Sequence, residues 1–270
     1  MLRRTFITLL TFSLFSLRAS GAEPVTLEVL IGGDADLNDE QVPLSAGVNQ
    51  LLEYLRQDTH LALKAKVMQW KRALLLAQEG KGILYGAAIT EERKQSLYFS
   101  QALYAENVWL VTRCDRQFSF NSIADLRGKT LGMLAASSFG AEIDQAKDKL
   151  FKTDYDMNIS RARFQKLLKL RTDAVFYYSQ YNDLHYLEDE INQRYGSLAK
   201  EETPALRNKP FCLLTNPASS TPLHFAAAHG HYQAEMELIN AALSKARQNG
   251  KLAQIFSPSA TPDNKTMHKH

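Results

Sequence analysis

An apolar run of strand length, Ile83-Leu84-Tyr85-Gly86-Ala87-Ala88-Ile89, follows Gly80-Lys81-Gly82 and ends at Thr90. Threonine is suited to capping a helix, and Glu91 and Glu92 come next, where the helix dipole favours acids. A buried strand leading straight into a helix is the repeating step of α/β folds. Arg93 is the odd member, because a cation in the first turn works against the dipole and needs an anionic or carbonyl partner. Two readings of Arg93 stand. It pairs with Glu91, Glu92 or a core carbonyl, or it holds a carboxylate, whose two oxygens match its planar fork.

The step recurs along the chain. Val25–Ile31 alternates and is rich in branched residues, which predicts the first strand, closed by Gly32-Gly33-Asp34. A loop of that kind at the carboxyl end of a parallel strand is a usual place for a ligand. Val48–Thr59 follows as a helix with Leu51, Leu52 and Leu55 on one face, and Leu61–Val67 as a second strand. Trp70 opens a helix that ends at Gly80. Asn107–Thr112 reads as a further strand, and another runs on to Met133–Ala136. Ser137-Ser138-Phe139-Gly140 then leads into a helix with Ser138 as its N-cap. Pro210–Leu214 and Leu223–Ala228 are short strands, the second followed by a long helix carrying Met236, Ile239, Leu243 and Ala246.

Residues Met1–Ala22 have the layout of a secretory signal: Arg3 and Arg4, the apolar run Phe6–Leu17, then Ser20-Gly21-Ala22. The run is too short to span a bilayer comfortably, so export with cleavage near Glu23 is the expectation. The chain has 32 basic and 29 acidic residues, and Arg3, Arg4 and Arg18 account for the whole excess. A balanced remainder excludes a general nucleic-acid or anionic-membrane partner. Cys114 and Cys212 are either a disulfide, closing a loop of about 100 residues worth roughly 4–5 kcal/mol, or two buried thiols. Thr221-Pro222-Leu223-His224-Phe225-Ala226-Ala227-Ala228-His229-Gly230-His231 matches an ankyrin pattern, but no second copy exists to stack on it. His224, His229 and His231 have no nearby cysteine or acid at helical spacing, so no metal site is expected. Residues 258–270 are polar and aperiodic and read as a disordered tail.

Ile89-Thr90-Glu91-Glu92-Arg93 with Phe99-Ser100 resembles the I-T-x-x-R … F-S-x-x-Y signature of family 3 periplasmic solute-binding proteins, with Tyr104 one residue displaced. Ser122-Ile123-Ala124-Asp125-Leu126-Arg127-Gly128-Lys129-Thr130-Leu131-Gly132 resembles that family's s-l-x-D-L-k-G-k-x-v-G run. Leu170-Arg171-Thr172-Asp173-Ala174-Val175 resembles its helix-to-strand step, and Gly250–Phe256 its ending. The resemblance covers about Val25–Phe256. It implies an α/β, two-lobed type II periplasmic binding protein with two hinge crossovers, lobe 1 being 23–112 plus 224–257 and lobe 2 being 113–223.

The resemblance further implies a periplasmic, monomeric receptor. Such a receptor captures a small carboxylate-bearing ligand, an amino acid or a relative, between its lobes and passes it to an inner-membrane ABC permease. It uses no cofactor. Arg93 would grip the carboxylate, with Ser137, Ser138, Tyr85, Ala88, Trp70 and Tyr178 around it. Trp70 either covers the ligand or packs at a helix start. Receptors for α-amino acids carry an aspartate just after the strand at 174–176, where an ungapped count puts Tyr178, and a neutral tyrosine is no carboxylate. Tyr177, Tyr178 and Tyr181 either line an aromatic wall or pack. The alternatives are a sensor or orphan binding module without a permease, and a dehydratase-like enzyme on the same fold. For the enzyme, Asp34 and Asp36 are acid–base candidates by position only.

Overall fold

The structure is a computed structural model that describes residues 26–33, 44–156, 160–181, 183–199, 206 and 209–256. The signal-like segment, Asp34 and Asp36, and the polar tail lie outside the described residues.

The first strand, β1 (Thr26–Gly32), lies parallel between β2 (Ala62–Met68) and β3 (Ile83–Ala88). Helix α1 (Ala46–Thr59) joins β1 to β2, and α2 (Trp70–Gln78) joins β2 to β3. The hydroxyl of Ser45 caps α1 by accepting from the Val48 amide, and its apolar stripe Leu51, Leu52 and Leu55 is fully buried. Each such side chain contributes about 1.5–3 kcal/mol on leaving water. Thr90 caps the four-residue helix α3 (Glu91–Lys94) through a bond from the Arg93 amide, as the sequence predicts.

Strand β4 (Leu97–Arg113) is 17 residues long, far beyond the expected Asn107–Thr112. It runs antiparallel to β9 (Ser219–Ala228), which in turn pairs antiparallel with β3. Beyond it lie β5 (Thr130–Leu134), β6 (Lys152–Asp156) and β7 (Ala174–Ser179), in the overall order β2-β1-β3-β9-β4-β7-β5-β6, with β8 (Phe211–Leu213) also on β4. Strand β5 stops two residues short of the expected Ala136, because Ala136 turns into the left-handed region at φ 60°.

The helices are α4 (Ala141–Ala146), α5 (Ser160–Leu168), α6 (Leu184–Tyr195), α7 (Gln233–Gln248) and α8 (Lys251–Ile255). Alternation along the strands sends side chains to opposite faces. Leu27, Val29 and Ile31 pack with α1, α7 and α8, while Leu30 packs with Ala73 and Ala77 of α2. In the other half, Val108 and Leu110 meet Phe139 and Phe176, while Trp109 and Val111 meet Phe164 and Tyr195. The two halves thus have separate cores, each a sheet between helices, and β4 and β9 run through both.

Cys114 and Cys212 form a disulfide with a Cα–Cα separation of 4.9 Å, fastening β8 to the end of β4. Among the described residues no helix is long and apolar enough to cross a membrane.

Candidate functional site

A cavity of about 300 Å³ opens between the two halves. Its floor comes from the shared strands: Tyr104 and Glu106 of β4 and Leu223 of β9. One wall comes from Gly32 and Gly33, Trp70, and Tyr85, Gly86, Ala88 and Arg93. The other comes from Ser137, Ser138, Ser160, Arg163, Tyr177, Tyr178 and α6. All seven residues singled out in the sequence therefore face one space.

Two glycines shape the first wall. Gly86 has φ 78°, and the register between β3 and β9 shifts beside it, so a left-handed glycine bends β3 at the cavity edge. A Cβ on Gly32 would lie 2.8 Å from Cε3 of Trp70, so the glycine is what lets the indole sit over the end of β1.

Arg93 is buried, its guanidinium 5.4 Å from the centre of the Trp70 ring. Nη1 donates to the Ala88 carbonyl at 2.8 Å and Nη2 to the Ala136 carbonyl at 2.9 Å. Trp70 Nε1 donates to that same Ala136 carbonyl at 3.0 Å, which ties the first wall to the second. The core-carbonyl reading of Arg93 is thus realised, yet two bonds use two of its five N–H groups. Among the described residues no acid lies within ion-pair distance of it. Burial lowers its pKa, and the guanidinium stays charged at any physiological pH.

Ser138 is not the N-cap expected of it. Gly140, with φ 96°, occupies that position, and α4 has only six residues. The cause is Asp144 inside the helix. Its carboxylate accepts from the Ser138 hydroxyl at 2.5 Å and from the Phe139 amide at 3.1 Å, and it also pairs with Lys147. An acid of the chain itself takes the donors that a ligand carboxylate was expected to meet. Ser137 and Ser138 still line the cavity, and the Ser138 carbonyl accepts from the Tyr178 hydroxyl at 3.0 Å.

Tyr178 stacks on Phe139 at 5.0 Å, and Tyr177 donates to Glu190 at 3.2 Å. Tyr181 turns away from the cavity and meets Tyr186 edge-on. Desolvation holds the phenols of Tyr104, Tyr177 and Tyr178 well above their usual pKa, so all three are neutral donors. The second wall also brings cations. Arg163 is paired through both Nε and Nη2 with Asp156, and Arg194 lies over the ring of Tyr195.

Glu106 escaped the sequence reading. It is half-buried on the cavity floor, and no ion pair or hydrogen bond to its carboxylate exists among the described residues. Desolvation pushes its pKa up to about 7. Nothing local marks it: a lone acid between Ala105 and Asn107 reads as a solvated position until β4 is seen to pass under the cavity.

Two α/β halves joined by two shared strands, with a polar-rimmed, aromatic cavity between them, define a two-lobed solute-binding protein. Residues 46–258 match the bacterial extracellular solute-binding proteins, family 3, and the chain belongs to that family. It is similar to an ancestral arginine-binding protein bound to arginine, at 25% identity and a TM-score of 0.62, over 86% of this chain and 96% of that one. It is similar in fold to a mutant of ArgBP from T. maritima, with 20% identity, a TM-score of 0.63, and 85% and 93% of the two chains covered. The same holds for AbpA from Streptococcus pneumoniae bound to L-arginine, with 14% identity, a TM-score of 0.63, and 87% and 94% covered. A search of curated protein sequences returns no significant match.

Proposed function

We propose that this protein is a periplasmic receptor that captures a small carboxylate-bearing ligand, an amino acid or a related acid, and hands it to an inner-membrane ABC permease. The observation that carries this reading is Arg93. It is a buried cation on the cavity wall with three N–H groups left over and, among the described residues, no acid within ion-pair distance. A carboxylate entering there would complete a charge-assisted pair with a buried guanidinium.

Several features support the wider reading. The sequence of residues 1–22 fits export, and the disulfide fits an oxidising compartment. The titratable residues on the cavity walls are tyrosines, arginines and one glutamate, and the Ser138 hydroxyl at the wall is held by Asp144. The family match and the solute-binding neighbours support binding rather than catalysis. On β4 the core packing switches between Leu103, in the first core, and Val108, in the second, which supports two lobes meeting on the shared strands, and closure about those strands would bury the ligand.

Thermal-shift screening of the folded protein against carboxylates, amino acids and short peptides tests the proposal. A ligand at 100 times its Kd adds about 2.7 kcal/mol of stability. Stabilisation by acids, and not by their amides or esters, is the expected result. No stabilisation by any acid would contradict it.

A further inference from the structure

We propose that Glu106 is the cation-binding residue of the cavity, so that the ligand carries a positive group on Glu106 as well as a carboxylate on Arg93. The inference rests on the receptor reading above and deepens it.

The charges of the cavity sort themselves by partner. Arg163 is neutralised by the two oxygens of Asp156. Arg194 lies over Tyr195, and its charge acts on Glu190. Two groups remain among the described lining residues. Arg93 is a cation with no acid within ion-pair distance, and Glu106 is an acid with no hydrogen-bond donor and no ion-paired cation. One guanidinium and one carboxyl group facing the same 300 Å³ form the mould of a zwitterion.

The surroundings of Glu106 suit a cation rather than a second anion. Tyr85, Tyr104 and Tyr178 lie near enough for its charge to act on each phenol. The Tyr85 hydroxyl meets that of Tyr104 at 3.5 Å, and Tyr178 is committed to the Ser138 carbonyl. Aromatic rings with an acid among them attract an ammonium or guanidinium by both Coulomb and quadrupole forces. Tyr178, inside β7, brings only a neutral phenol to the second wall, and Glu106 supplies a carboxylate to the same cavity from β4. An ammonium anchored there sits over the shared strands instead of against the second wall.

Titration calorimetry on the full folded protein tests this. The probes are L-arginine, L-lysine, L-glutamine and γ-aminobutyrate, with butyrate and glutarate as acids lacking a cation. The expected result is binding of at least one cation-bearing probe, with the cation-free acids at least tenfold weaker. Glu106→Gln should weaken the cation-bearing probe about 10- to 100-fold, since one charged contact is lost, and bind butyrate and glutarate no more weakly than the wild type does. Glu106→Asp should recover part of the loss, which a purely structural role would not predict. Arg93→Ala should weaken both groups of probe. Wild-type-like binding of the cation-bearing probe by Glu106→Gln overturns the proposal. Binding of butyrate or glutarate as tight as that of the amino acids overturns it while leaving the carboxylate receptor intact. Failure of every probe overturns both.

Discussion

Glu106 leaves a signature that needs no ligand. A carboxylate whose pKa rises from 4.5 to about 7 on folding is protonated more readily in the folded chain than in the unfolded one. Folding stability is therefore greatest below pH 4.5 as far as this group is concerned, and falls as the pH rises through 7. The groups facing it do not change over that range: Tyr85, Tyr104 and Tyr178 stay neutral, and Arg93, Arg163 and Arg194 stay charged. At 1.36 kcal/mol per pH unit the full difference is about 3 kcal/mol, and screening through the open cavity trims it to about 2 kcal/mol. Glu106→Gln keeps the shape and removes the charge. Urea denaturation should find the variant more stable than the wild type by about 2 kcal/mol at pH 8, a rise of about 4–8 °C in Tm, with the two converging near pH 4.5. A variant no more stable than the wild type at pH 8, or a gap that persists unchanged at pH 4.5, would refute the reasoning. The first outcome would mean that the carboxylate is already paired, and the second that charge is not the cause.

Gly32→Ala should push Trp70 off the end of β1, since the new Cβ would meet Cε3 at 2.8 Å. A loss of about 1–3 kcal/mol and a shifted indole emission are expected, and unchanged fluorescence would contradict the packing argument. The Cys114→Ser, Cys212→Ser double variant should lose up to about 4–5 kcal/mol for a loop of 98 residues, read as a lower denaturation midpoint. Asp156→Ala should cost about 3–5 kcal/mol, because it strands Arg163, only 5% exposed, without its bidentate partner. Equal midpoints for that variant and the wild type would show that Arg163 finds another partner.

Much of the first half was legible because its signals are local. β1 and α1 carry periodicity, β3 is an apolar run of strand length, and Thr90 caps α3 where a threonine followed by two acids says it should. The shared strands were legible only in part. Asn107–Thr112 and Leu223–Ala228 read as strands, but Gln101 and Glu106 interrupt the apolar residues before the first, and Pro222 lacks a donor before the second. The long antiparallel pairing of β4 with β9 imposes the extended form on both. The same blindness hid Glu106, whose role depends on the neighbours β4 passes between. At Ser138 the capping rule picked a suitable residue, but Asp144 six positions on captured the hydroxyl and moved the helix start to Gly140. Arg93, in contrast, was marked by its conflict with the helix dipole, and it is buried on the cavity wall.

The most direct test of the central claim is the change in ligand affinity on replacing Arg93, measured by calorimetry with an acid that raises the Tm of the wild type. Two parallel charge-assisted bonds at roughly 1.5–3 kcal/mol each predict a loss of about two to four decades for Arg93→Ala, and partial recovery for Arg93→Lys, whose ammonium cannot reproduce the fork. An Arg93→Ala protein that folds and binds the acid as tightly as the wild type would remove Arg93 from the site and contradict the account.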